Sequence, residues 1–268
     1  MRKIIYAILF FCSLKATAQA DTAFRLIKTI RTDVIDLAVD NLDNMYLFSS
    51  TNQLKKLNAH GDSVAVYNDV KKFGKATYID VSNPLRVLLY YKDFLTVVVL
   101  DRLLNIRSVI DLRKSNIIQA NAIGLSYDNN IWVYDEANSK LKKIDDQGRL
   151  LLETPDFRQL FGDAPSPLSI FDQDGFVYMY DSVKGVYVFD YYGALKNKIL
   201  ITGWKDFRVA GKYIYGITHD TLQRYQINTF RLDNQKLAEP LWPVISLGFT
   251  PTRLYGLKKD SIEIYSIR

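Results

Sequence analysis

Few side chains in this sequence are equipped for chemistry. Its 268 residues include two histidines, His60 and His219, and one cysteine, Cys12. His60 stands in Asn58-Ala59-His60-Gly61 and His219 in Thr218-His219-Asp220, both of turn-forming composition. With one histidine in each of two distant segments, no His-based metal cluster or Ser-His-Asp arrangement can be assembled. No Gly-rich phosphate loop is present either. Oxygen chemistry remains: Asp36, Asp80 and Asn121 could offer oxygens to Ca2+, a hard cation that takes several at once. Asp172-Gln173-Asp174-Gly175 opens like an EF-hand loop, but Val183 occupies the twelfth position, where a bidentate Glu is required. The segment therefore reads as a turn. The other chemistry is recognition, for which Phe157, Arg158, Phe161 and Trp242 are candidates, because aromatics and Arg dominate binding energy at interfaces.

Such residues act only where the chain brings them together, and an internal repeat indicates how. Six short apolar segments align: Met45 to Phe48, Val87 to Tyr90, Ile131 to Tyr134, Val177 to Tyr180, Ile214 to Ile217 and Leu254 to Leu257. Their starts lie 42, 44, 46, 37 and 40 residues apart, and five of the six carry an aromatic in second place. Near-continuous apolar runs of this length suit strands buried on both faces. Each is followed within ten residues by a second strand-like segment, from Leu54, Val97, Leu141, Val186, Leu222 and Ile262 respectively. Turn residues such as Asp40 to Asn44 precede the first strand, and turns with Gly fourth, such as Asp145-Asp146-Gln147-Gly148, follow the second. Adding the runs on either side (Val34 to Val39 and Ser63 to Tyr67 in the first unit) gives four strands per unit. Six such units predict an all-β, six-bladed β-propeller of four-stranded antiparallel blades, in which each blade buries its faces against its neighbours.

The ends bear on closure. The sixth unit stops at Arg268, after its third strand, while Phe24 to Ile30 is a strand-like segment with no unit of its own. Pairing the two closes the ring and removes an exposed edge. Asp128 to Gly148 resembles one NHL-type propeller repeat, with its acidic turn, apolar-aromatic strand, D-x-x-N link and D-x-x-G turn; residues 172 to 193 are similar, and the other four units are degenerate. The resemblance implies the propeller architecture for the whole mature chain. Propellers of this kind serve as binding platforms and as enzymes, including lactonase-like hydrolases that hold Ca2+ in the central channel. Asp36, Asp80 and Asn121 fall on or just before inner strands of units one to three, whereas Leu168 to Phe171 of unit four brings no acid.

Two connections are long: Glu153 to Pro167, and Leu232 to Pro243. In a propeller both fall on one face, so Phe157, Arg158, Phe161 and Trp242 are expected to form a partner-binding surface there. Phe157 and Phe161, four apart, would also suit the apolar stripe of a short helix packed on the disc.

The amino terminus reads as an export signal. Met1-Arg2-Lys3 is basic, Ile4 to Leu14 is apolar, and Ala16 to Ala20 supplies small residues for cleavage after Ala20, leaving 248 residues as a single propeller domain over 21–268. Ile4 to Leu14 is about half the roughly 20 residues needed to span a bilayer, and no later segment comes close. Loss of Arg2, Lys3 and Lys15 takes the formal charge from +6 to +3. The remaining basic residues are interspersed with acids, which gives nucleic-acid binding no footprint. The expectation is an exported, non-catalytic protein-interaction module of a Gram-negative cell envelope, periplasmic, outer-membrane associated or at the cell surface. Its partner would be an envelope protein or outer-membrane complex, and no cofactor is expected. The alternative is a Ca2+-dependent hydrolase at Asp36, Asp80 and Asn121.

Overall fold

The computed structural model describes residues 24–237 and 243–267. The expected signal segment and Trp242 lie outside the described residues. The chain forms a six-bladed β-propeller, each blade a four-stranded antiparallel sheet. Blade 1 comprises β2 (Val34–Val39), β3 (Met45–Ser49), β4 (Leu54–Leu57) and β5 (Ser63–Tyr67), ordered from the channel outwards. Blades 2 to 5 repeat this order. Their inner strands are β6 (Tyr78–Asn83), β10 (Ala120–Leu125), β14 (Ser169–Gln173) and β18 (Lys205–Ala210). Their second to fourth strands are β7 (Arg86–Tyr91), β8 (Thr96–Asp101) and β9 (Ile106–Asp111), then β11 (Ile131–Asp135), β12 (Lys140–Ile144) and β13 (Leu150–Glu153). Next come β15 (Phe176–Asp181), β16 (Gly185–Asp190) and β17 (Leu195–Ile199), and last β19 (Tyr213–Thr218), β20 (Thr221–Gln226) and β21 (Arg231–Lys236). A short helix, α1 (Val70–Phe73), lies between blades 1 and 2.

Blade 6 is composite. It runs β22 (Ser246–Phe249), β23 (Arg253–Leu257), β24 (Ser261–Ile267) and then β1 (Phe24–Arg31). β1 pairs with β24 from Phe24 opposite Ile267 to Arg31 opposite Ser261, so the first strand closes the ring as expected. Phe24 is buried among Ile217, Leu222, Leu247 and Tyr265 of blades 5 and 6.

The cores lie between blades rather than within them. Leu37, Met45, Leu47 and Leu57 of blade 1 pack on Tyr255, Leu257, Ile262 and Ile264 of blade 6, and a cluster of this kind fills each of the six seams. This explains the apolar second strands: both of their faces meet a neighbouring blade. Blades approach so closely that a Cβ on Gly124 of β10 would lie 2.4 Å from the carbonyl oxygen of Ile170 in β14.

Tyrosines add directional ties across three successive seams. Tyr90 donates to the Ala120 carbonyl (2.9 Å), Tyr134 to that of Pro165 (2.8 Å) and Tyr180 to that of Trp204 (3.1 Å). Each hydroxyl reaches the start of the next blade. Tyr180 also accepts from the Trp204 N–H at 2.7 Å.

The turn signatures have a local cause. Asp145 Oδ1 accepts from Gln147 N and Arg149 N, each at 2.9 Å, while Gly148 takes φ 77°. Asn58 and Asp190 hold the same bonds, with Gly61 and Gly193 at positive φ. Blade 2 has Asp101 in that role but Leu104 at φ 62°, a left-handed position where the buried Leu104 side chain compensates for the absent Gly. In the D-x-x-N link, Asn138 donates to both oxygens of Asp135, at 3.2 and 2.7 Å.

Two expected boundaries shift. β14 continues through Asp172 and Gln173, leaving Asp174 (φ 51°) and Gly175 (φ 90°) as a two-residue turn of the hairpin type that needs positive φ at both positions. The expected loop from Leu232 is strand up to Lys236: β21 (Arg231–Lys236) pairs with β20 (Thr221–Gln226) along its whole length.

Candidate binding face and central channel

Antiparallel blades place the connections between second and third strands, and those between blades, on one face of the disc. The connections between first and second strands share the other face with those between third and fourth. The central channel opens on both. At the inter-blade-loop face a cavity of about 470 Å³ is lined by Asp36, Tyr78, Tyr180, Trp204, Lys205, Asp206 and Arg208, among others. A smaller cavity of about 120 Å³ opens on the opposite face beside Asp40, Asp80, Gln173 and Thr250. Tyr78 and Arg208 line both, so they stand at the neck between them.

The three residues considered for Ca2+ do not form a ligand set. Asp36, exposed on β2, faces the wide mouth and accepts from the Leu37 N–H at 2.8 Å. Asp80, buried on β6, belongs to the narrow mouth, where its oxygens accept from Ser82 N (2.8 Å) and from Leu125 N of the next blade (2.7 Å). Those bonds make it a seam fastener. Asn121 lies on β10 and lines neither cavity. Among the described residues no three His, Cys, Asp or Glu side chains come together as metal ligands. His60 and His219 are exposed in turns, as their sequence contexts suggested.

Blade 5 supplies the charges that the sequence reading passed over. The register of β18 shifts between Lys205 and Arg208, and Asp206 takes φ 49° within that bulge, which re-aims the side chains around it. Burial pushes the Asp206 carboxyl up, Asp36 adds to the shift, and Arg208 and Lys205 oppose it. Burial, reinforced by Asp80 and opposed by Arg208, likewise raises the Tyr78 phenol. The Arg208 guanidinium lies 5.5 Å from the Phe171 ring centre. The signal available in the sequence was Lys205-Asp206-Phe207-Arg208 itself, a charged run where the repeat requires an inner strand.

The inter-blade connection after β13 (Leu150–Glu153) folds into a short helix, α2 (Phe157–Phe161), capped by Asp156, whose Oδ1 accepts from Arg158 N at 2.8 Å. Phe157 is fully buried. It stacks on Phe189 at 5.2 Å and on Tyr134 at 6.1 Å, so its side chain belongs to the core rather than to a partner-facing surface. Phe161 is half-buried against Tyr187 at 5.1 Å. Arg158 is exposed, but its guanidinium is engaged by Asp156 at 2.6 Å. The apolar side chain that α2 presents outwards, beside Arg158 and Gln159, is Leu160.

Two more exposed apolar residues stand in loops of the same face, Val183 (78% exposed) and Leu200 (81%). Buried Asp181 fixes the Val183 turn. Its Oδ1 accepts from Val183 N and Lys184 N at 2.8 and 2.9 Å, and its Oδ2 from Ser166 N at 2.7 Å. Lys184 pairs with Asp163 at 2.6 Å, and Gly203 N donates to the Ser182 carbonyl at 2.7 Å. The loops from blades 3, 4 and 5 are thus locked together with apolar side chains standing outwards, next to Leu168 and Ile245 at the wide mouth.

No family model and no curated protein matches this sequence. Among solved structures, a streptogramin B lyase is similar at 16% identity and TM-score 0.57, over 88% of this chain and 79% of that one. A catalytically inactive virginiamycin B lyase from Staphylococcus aureus, bound to quinupristin, gives 13% and 0.61 over 91% of this chain and 100% of that one. PorZ of Porphyromonas gingivalis, an essential surface component of the type-IX secretion system, gives 12% and 0.56 over 89% of this chain and 32% of that one. The likeness is one of fold. Among the described residues no helix is long and apolar enough to cross a membrane.

Proposed function

We propose that this chain is an exported, non-catalytic protein-interaction module of the bacterial cell envelope, a propeller of NHL-like repeats whose inter-blade-loop face docks a protein partner. The observation that carries the reading is a set of exposed apolar side chains on one face, Leu160, Val183 and Leu200, in loops tied to one another by Asp181, the Lys184–Asp163 pair and the Gly203–Ser182 bond. Apolar groups fixed in this way lose little freedom on binding, which leaves more of their burial as affinity. An exposed apolar patch on a well-ordered surface is the usual mark of an interaction site. The envelope setting rests on the amino-terminal signal of residues 1 to 20 and accords with PorZ, a bacterial surface component, among the similar structures. An outer-membrane or secretion assembly is the partner class that fits.

The test compares the tagged chain, expressed in its source cell, with a Leu160→Asp, Val183→Asp, Leu200→Asp variant. The expected result is an envelope protein that co-purifies with the first and is lost from the second, with the midpoint of thermal unfolding unchanged. Recovery as a free monomer, or a partner indifferent to the three substitutions, would overturn the proposal.

A further inference from the structure

The wide mouth of the channel holds charges of both signs, Asp36, Lys205, Asp206 and Arg208, with no direct ion pair among them. Arg208 makes one guanidinium hydrogen bond among the described residues, from Nη1 to the carbonyl of its neighbour Phe207 at 3.3 Å, and no ion pair. Asp206 has neither a hydrogen-bond nor an ion-pair partner for its side chain among them, and Asp36 accepts only from the adjacent Leu37 N–H. All three line the same cavity. Elsewhere the chain pairs such groups closely, as with Lys142 and Asp135 at 2.7 Å or Lys140 and Glu153 at 2.8 Å. A guanidinium stacked on a ring and short of acceptors is suited to a planar carboxylate, which it can grip with two parallel bonds. Lys205 and Arg208 act on Asp206 through space but neither forms an ion pair with it or with Asp36, so the two carboxylates can take a further cation between them.

The remaining lining sets the scale of the occupant. About 470 Å³ falls within the range of about 300–1,000 Å³ typical of small-ligand sites, well beyond the needs of a lone ion. Leu168, Tyr78, Tyr180 and Ile245 supply apolar and aromatic wall around the charges. Asp206, at φ 49°, sits in the bulge of β18, a feature that re-aims a side chain and is common beside functional sites.

We propose that the wide mouth binds a small zwitterion, a free amino acid or dipeptide with an apolar side chain, its carboxylate on Arg208 and its ammonium between Asp36 and Asp206. This site is distinct from the loop platform and does not depend on a protein partner. The ligand bridges the unpaired charges, so that each gains a counter-ion without the strands having to move.

Calorimetric titration of the mature chain with leucine, phenylalanine and alanyl-phenylalanine tests it, alongside the N-acetyl and C-terminal amide forms of the dipeptide. At least one zwitterion should bind; for alanyl-phenylalanine each capped form should bind about ten-fold more weakly, as expected for loss of a charge-assisted bond. Arg208→Gln should abolish the preference for the free carboxylate and keep that for the free amine; Asp206→Asn with Asp36→Asn should do the reverse. Equal binding of free and capped forms, or no heat from any of the three zwitterions at about 10 mM, overturns the proposal. The comparison of free and capped ligands uses the unaltered chain, so it stands even if a variant fails to fold.

Discussion

Single polar atoms in the seams carry more weight than their number suggests. Tyr180 both donates to and accepts from the backbone of Trp204. Tyr180→Phe would leave a buried N–H and C=O unpaired, so it should destabilise the chain by about 1–3 kcal/mol, more than Tyr90→Phe, which frees one carbonyl. Denaturant unfolding of the two variants compares them directly, and equal losses would refute the double role of Tyr180. Asp172 behaves differently. Burial pushes its carboxyl up, against bonds from Trp132 Nε1 at 3.0 Å, Ser126 Oγ at 2.8 Å and the nearby Tyr191 hydroxyl. The folded chain therefore holds this proton more tightly than the unfolded one. Stability falls as pH rises from the ordinary carboxylate range through the raised value, and the penalty is complete above it. Asp172→Asn keeps an acceptor and removes the charge, so its stability relative to the natural chain should improve between about pH 4 and pH 7. A difference that does not vary with pH would contradict this. At this scale the sequence was only partly legible: Asp36 and Asp80 stand out by type, but whether a carboxylate faces a channel or fastens a seam depends on backbone N–H groups in another blade.

Whole elements were read more easily where burial is two-sided. The second strands betray themselves because every side chain meets a neighbouring blade. Rim strands do not: β21 is Arg-Leu-Asp-Asn-Gln-Lys, with all six positions exposed or half-buried, so nothing in its composition separates it from a loop. The same logic divides α2. Phe157→Ala should lower stability by about 3–5 kcal/mol, because it opens a cavity between Tyr134 and Phe189. Arg158→Ala, at an exposed position, should stay within about 0.5 kcal/mol. Chemical denaturation distinguishes the two, and a similar loss from both would mean that the helix is docked through its outer face. Closure by β1 makes a further claim. Removing residues 24–31 exposes the edge of β24, so aggregation or a marked fall in the unfolding temperature is expected. An unchanged transition would show that the ring does not need its first strand.

The molecule as a whole is a disc with unequal faces. One carries the wide mouth, the three-loop platform and the unpaired charges. The other carries hairpin tips, where Leu42, Leu85 and Phe230 are exposed on separate turns. The expectation that loops of one face would bind was drawn from their length. The residues that the structure favours there are Leu160, Val183 and Leu200, two of them in short connections, because exposure at a loop tip is decided by how neighbouring blades lock together. The most direct measurement is photo-crosslinking in the source cell, with the crosslinker placed at Val183 or Leu200 on the platform and at Leu85 on the opposite face. The proposed function requires one envelope protein trapped from both platform positions and nothing from Leu85; an absence of product at the platform, or the same product from both faces, would contradict it.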